Sequence, residues 1–206
     1  MNIYEIFVLN RALDGKDIFA LPSFAELNIS NFMIDDIKNA LIEKGILESE
    51  STFTDEGVRQ TNRLRLFKQA DKHIQIGNVV MGVLDKNESI LLLYNPLSCE
   101  YKIEIMDSSD MAGQLVSFYS FLTPERTVET VHEEKNKMSK REFSDIYALD
   151  ESNHFRMLIE EKGKKRDEVY FSSGGKYYVY DTTNGVLSSR SYKGLINQLE
   201  ERMRME

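Results

Sequence analysis

Residues 31 to 67 read NFMIDDIKNALIEKGILESESTFTDEGVRQTNRLRLF, and their spacing predicts a helix, a tight exit, a short hairpin and a second helix. Asp35 and Asp36 stand near the start of the first helix and Lys44 then Gly45 at its end, the polarity that a helix dipole and a glycine stop favour. Ser30 is its expected cap, and Met33, Ile37, Ala40, Leu41 and Lys44 recur at the steps of a buried face. Ile46 and Leu47 read as a short strand, with Phe53 as its return and residues 48 to 51 as the turn. Thr54 opens the second helix as an N-cap, followed by Asp55 and Glu56 where backbone N–H groups lack partners. Helix, hairpin and helix outline a winged-helix-like unit. The second helix carries Arg59, Arg63, Arg65 and Lys68, the basic surface a DNA-recognition helix would present and equally the solvated face of any long helix.

The remainder of the chain bounds what this unit can belong to. With 206 residues, 41% of them hydrophobic, 11 Phe and 10 Tyr, the chain can bury a substantial core. We expect one α+β domain over residues 1–206, with a helical subregion at 1–72 and a sheet with central and C-terminal helices at 73–206. The net charge of -8 opposes broad nucleic-acid affinity, which comes largely from neutralising phosphates with Lys and Arg. The first 13 residues carry Glu5, Asn10 and Arg11 among apolar positions, so an amphipathic helix is expected there rather than a signal peptide or a membrane span. The single cysteine, Cys99, cannot make an internal disulfide, which fits a reducing, cytoplasmic compartment.

Beyond residue 72 the period changes from helical to strand-like. IQIGNVVMGVLD, ESILLLYN and EYKIEIMD read as three strands with short connections, the third alternating cleanly, and such connections favour an antiparallel meander. Ser108 and Ser109 cap a central helix that ends before Pro124. A charged connection follows over 125–153, with a short helix expected around Lys140 to Leu149. The last third returns to strands in FRMLIEE, DEVYFSS, KYYVYDT and GVLSSRS, where Asn184 followed by Gly185 is the strongest hairpin signal. A closing helix from Tyr192 places Ile196, Leu199 and Met203 on one stripe. The expected architecture is a largely antiparallel sheet of six or seven strands flanked by helices.

Catalytic signatures are not found at the sequence level. His73, His132 and His154 lie far apart, and His132 with Glu133 and Glu134 lacks the second histidine of a zinc-binding helix. Cys99, flanked by Ser98 and Glu100, carries no mark of an activated thiolate. Residues 172–175 are too short, and too far from a helix start, for a phosphate loop. No catalytic residue, metal ligand or cofactor site is therefore expected, and no partner-contacting residue can be singled out.

Residues 40–47, ALIEKGIL, followed by residues 53–57, FTDEG, resemble the corresponding segment of the EsaE-like cytoplasmic chaperones of Firmicutes type VII secretion, a family similar in architecture to the mycobacterial EspG chaperones; Gly45 is a point of departure. The order of elements, through YYVYDTTNGVLSSRSY to a terminal helix, is also similar. The resemblance implies a non-catalytic adaptor that binds a secreted substrate, a toxin or a small helical-hairpin protein, and delivers it to the secretion ATPase, without cofactor, nucleic acid or membrane insertion. A winged-helix DNA-binding regulator is the alternative expectation.

Overall fold

The computed structural model describes residues 1–122, 134–147, 154–173 and 175–203 of the chain. It is an α+β protein whose main antiparallel sheet has nine strands, against the six or seven expected, beside a separate two-stranded hairpin. The chain divides into two compact units: Met1–Ala70 with Asn78–Gly82 and Ile90–Ile105, and Asp71–Gly77 with Val83–Ser89 and Met106–Glu206.

In the first unit, α1 (Ile3–Arg11) begins with a capping box. Asn2 Oδ1 accepts the Glu5 N–H and the Glu5 carboxylate accepts the Asn2 N–H, both at 2.9 Å. Ile6 and Leu9 are fully buried on its inner face. Ser30 caps α2 (Asn31–Glu43) through the Met33 N–H, as expected. Its exit is a Schellman turn: Gly45 at φ +67° donates to the Ile42 carbonyl and Ile46 donates to that of Leu41, both at 2.9 Å, while the Leu41 and Ile46 side chains are buried. Asp35 and Asp36 are the fifth and sixth residues of the helix, just beyond its first turn, which holds no acid.

The hairpin comprises β1 (Leu47–Ser49) and β2 (Thr52–Phe53), and α3 (Asp55–Gln69) follows. Thr54 is its N-cap, taking the Gly57 N–H at 3.0 Å and donating its own hydroxyl to the Gly45 carbonyl at 2.7 Å. One side chain thus ties the end of α2 to the start of α3. Strands β4 (Val79–Val83), β5 (Glu88–Asn95) and β6 (Glu100–Asp107) supply the apolar floor with Val80, Met81, Ile90, Leu91, Leu92 and Ile103, in the order β6-β5-β4. Gly82 lets β4 pass the end of α3; a Cβ there would meet Ala70, Ile90 and the Phe67 carbonyl at 3.1 to 3.3 Å.

In the second unit the strand order is β3-β8-β9-β10-β11-β7, with β3 at Lys72–Ile76, β7 at Lys135–Lys137, β8 at His154–Glu161, β9 at Lys164–Ser173, β10 at Lys176–Asp181 and β11 at Val186–Arg190. Aromatic side chains on facing positions weld it together. Phe155 and Tyr170, direct partners across β8 and β9, stack at 4.9 Å, and Phe143 of α5 (Lys140–Tyr147) stacks on Tyr180 at 4.1 Å. The unit also holds α4 (Ser108–Phe118) and α6 (Tyr192–Met203), the latter burying Leu195, Leu199 and Met203. Asn184 and Gly185 make the β10–β11 turn as expected, with Asp181 Oδ1 accepting the N–H groups of Thr183 and Asn184.

Two features account for the higher strand count. The run IQIGNVVMGVLD is two strands, β3 and β4, because Gly77 at φ +55° turns the chain with Asn78 inside it. The charged connection contributes β7, three exposed residues paired to β11, whose sequence Lys-Asn-Lys has no apolar alternation to announce it. Residues 148–153 of that connection, including the expected helix end at Leu149, lie outside the described residues.

A Cβ at Gly57 would fall 2.0 Å from the Ile46 carbonyl oxygen, whereas one at Gly113 in α4 meets nothing within 4 Å. Gly57→Ala is expected to cost about 3 kcal/mol or more, at or beyond the upper end of ordinary overpacking, and Gly113→Ala to stabilise by roughly 0.5 to 1 kcal/mol. Urea midpoints of the two variants check the contrast.

Candidate interaction surface

The side chains considered for chemistry do not gather in one place. His73 lies on β3 and His154 on β8, while His132 is outside the described residues. Cys99 is exposed in the β5–β6 turn at φ +54°, its thiol 3.8 Å from the Pro96 carbonyl. Among the described residues no group of three or more His, Cys, Asp or Glu side chains is placed to hold a metal ion.

The four basic residues of α3 do not form one surface. At about 100° per residue they point in different directions around the helix. Arg59 pairs with Glu56 at 2.8 Å, and Arg63 donates to the Ile103 carbonyl on β6 at 3.1 Å. Lys68 turns toward the segment after α1, bonding Asn10 Oδ1 at 2.5 Å, the Lys16 carbonyl at 3.1 Å and the Asp14 carboxylate. That contact holds the Asp14 carboxyl below its ordinary value, helped by the Lys16 N–H. Arg65 is exposed. Three of the four charges therefore serve contacts within the first unit.

Two further charge networks are built into the scaffold. In the first unit Glu5, 1% exposed, faces Lys44, whose ammonium lies 3.0 Å from Glu5 Oε1 and 2.9 Å from Glu100 Oε1. The hydrogen bond to Glu100 raises Lys44 above its ordinary value, with the Glu5 hydrogen bond adding to it against the effect of burial, and the same Lys44 bond lowers Glu100. In the second unit Arg202 of α6 grips Glu168 of β9 with two N–H groups, at 2.8 and 3.2 Å, and the Tyr170 hydroxyl donates to the same carboxylate at 2.6 Å. Burial first, and then the Glu168 charge, pushes the Tyr170 phenol well above its usual range. Neither network is apparent from sequence, since each joins residues 34 or more positions apart with no local spacing signal.

The solvent side of α2 is different in character. The expected face is the covered side of the helix: Leu41 is fully buried and Met33, Ile37 and Ala40 are partly so, while Lys44 at its end is exposed. Helical geometry places Phe32 diametrically opposite Leu41, among Asp35, Asp36, Asn39 and Glu43, all exposed. Phe32 itself is 77% exposed. Met33 and Ile37 continue the apolar surface around one flank. The hairpin after α2 adds the exposed acids Glu48 and Glu50. From residue 31 to 53 there are five carboxylates and two lysines, and one of those lysines is Lys44, already engaged with Glu5 and Glu100. The result is a partly apolar, strongly acidic surface.

An α+β scaffold with a helix–hairpin–helix unit and an acidic, aromatic-bearing helix face is thus the class of molecule the fold defines. The chain belongs to the DUF5081 family, described as a domain of unknown function, whose model matches residues 1–206. No curated protein matches it.

Because Glu100 is lowered from 4.5 and Lys44 raised from 10.5 in the folded state, their pairing stabilises fully above the ordinary Glu value and below the ordinary Lys value. It is lost as the pH falls through the folded Glu100 value or rises through the folded Lys44 value. Lys44→Gln is expected to lower stability modestly at neutral pH, because it takes the cation from the buried Glu5 carboxylate while its exposed pairing with Glu100 is screened by water. The gap from wild type should narrow in acid, as read by chemical unfolding across pH. Glu168→Ala, which leaves Arg202 and the Tyr170 hydroxyl without their acceptor, should cost about 2 to 4 kcal/mol, detectable as a lower thermal midpoint.

Proposed function

We propose that this protein is a non-catalytic, cytoplasmic adaptor that binds a substrate of type VII secretion, keeps it soluble and hands it to the secretion ATPase. The observation that carries the reading is the junction spelled ALIEKGIL and FTDEG, where the resemblance to EsaE-like chaperones is densest. Two of its residues each hold the fold at one point, Thr54 as the cap and Gly57 as the close-approach position under Ile46, while Gly45, the point of departure from that family, makes the α2 exit. A chain that uses its polar side chains for internal tethering, and leaves a half-apolar helix face outside, is suited to holding a protein partner. Among the described residues no helix is long and apolar enough to cross a membrane.

The test is co-expression with secreted helical-hairpin proteins and toxins encoded beside the gene, followed by size-exclusion chromatography. A stoichiometric complex, together with loss of substrate solubility when the adaptor is omitted, is the expected result. If none of the neighbouring exported proteins co-elutes, the adaptor reading falls.

A further inference from the structure

We infer that the solvent face of α2 docks a basic amphipathic helix, with Phe32 inserted into the apolar stripe of the partner and Asp35, Asp36 and Glu43 facing its lysines or arginines. The inference rests on the adaptor reading and names the surface and the chemistry of its occupant. Exposure comes first. An isolated aromatic on a surface is ordinary, but here Phe32 adjoins Met33 and Ile37, which the scaffold leaves half-buried on the neighbouring flank of the helix. Phe32 is the anchor of the exposed face, and Met33 and Ile37, four residues apart, border that face on its covered side, about 100° and 140° round the helix.

Charge then selects the occupant. Phe32 has Asp35 and Asp36 three and four residues on, both exposed, and Glu43 further along the same line. The neighbouring hairpin adds Glu48 and Glu50. A phosphate backbone or an anionic lipid surface would be repelled by this face. A second copy of the chain meeting it face to face would bring the same carboxylates together. A cationic helix gains from Asp35, Asp36 and Glu43 along the helix line of Phe32, and its apolar stripe takes Phe32 out of water.

The probe is a fluorescent synthetic helix with leucines on one face and lysines on the other, compared with the same helix carrying glutamates for lysines. Titrated against the full chain, the lysine helix should bind with salt-sensitive affinity and the glutamate helix should not. Phe32→Ala and the pair Asp35→Asn/Asp36→Asn should each weaken binding by about tenfold, the scale of one anchor contact. Because these side chains are exposed, folding is retained, which circular dichroism verifies. Phe118→Ala, removing an aromatic that is 85% exposed on α4, and the charge-matched pair Glu134→Gln/Glu201→Gln should leave affinity unchanged.

Equal binding of both helices overturns the inference, as does an affinity that responds to the control variants as strongly as to the α2 variants. Self-association of the wild type that Phe32→Ala abolishes also overturns it, since the occupant is then a second copy. If a co-expressed substrate complex forms and survives Phe32→Ala unaltered, the surface lies elsewhere and the adaptor reading stands. If no secreted substrate binds the wild type, the adaptor reading falls, and the peptide titrations decide the docking face by themselves.

Discussion

The carbonyl of Ile46 is the point on which the first unit turns. It accepts the Thr54 N–H at 3.1 Å and the Thr54 hydroxyl at 3.2 Å, and it lies so near the first turn of α3 that only glycine fits at position 57. The Schellman turn at Gly45 delivers Ile46 to that position, and the hairpin of β1 and β2 brings the chain back so that Thr54 can cap α3. Together they fix the path of the chain from the end of α2 to the start of α3, along which Leu41, Ile46, Leu47 and Leu64 are buried. The unit is specified by a small number of local, directional contacts, and its apolar core fills in behind them.

Polar side chains in both units follow a common rule: where a charge is buried, its partner comes from a distant segment. Glu5 begins α1 as half of a capping box and also meets Lys44 at the exit of α2. Glu168 meets Arg202 across 34 residues, fixing α6 on the strand that carries Tyr170. Such pairs add less to net stability than their geometry suggests, because two charges must leave water to form them. Their effect is orientation. Leu195, Leu199 and Met203 set which face of the helix is buried, and the bidentate grip of Arg202 on Glu168 adds a directional contact that fixes its position along the strand.

How much of this is legible in the sequence divides along the same line. Ser30, Gly45 and Thr54 act within three or four residues of themselves, and each stands where residue type and spacing place it. Asn184 and Gly185 do likewise. The turn at Gly77 and Asn78 carries the same kind of signal but sits inside a continuous apolar run, which reads as one strand. Strand β7 has no apolar residue to mark it. The face of α2 lies on the expected side, and its covering is incomplete for a different reason. Periodicity reports that a helix has an apolar side, and it cannot report whether the rest of the chain supplies enough surface to cover it. Leu41 is covered, and Met33, Ile34 and Ile37 are covered only in part.

The basic residues of α3 carry the sharper lesson about function. Counted along the helix, Arg59, Arg63, Arg65 and Lys68 suggest a surface for an anionic partner. Placed in space, Arg59 answers Glu56, Arg63 completes the Ile103 carbonyl and Lys68 holds the segment that follows α1. The acids of α2 and of the hairpin have no comparable employment: Asp35, Asp36, Glu43, Glu48 and Glu50 all face solvent. The helix–hairpin–helix unit therefore uses Arg63 and Lys68 for inward contacts, pairs Arg59 with Glu56 on its surface, and displays the acids of α2 and the hairpin to solvent. A surface of that sign, centred on an exposed phenylalanine, is built for a cationic polypeptide, and the winged-helix outline describes its packing without describing its partner.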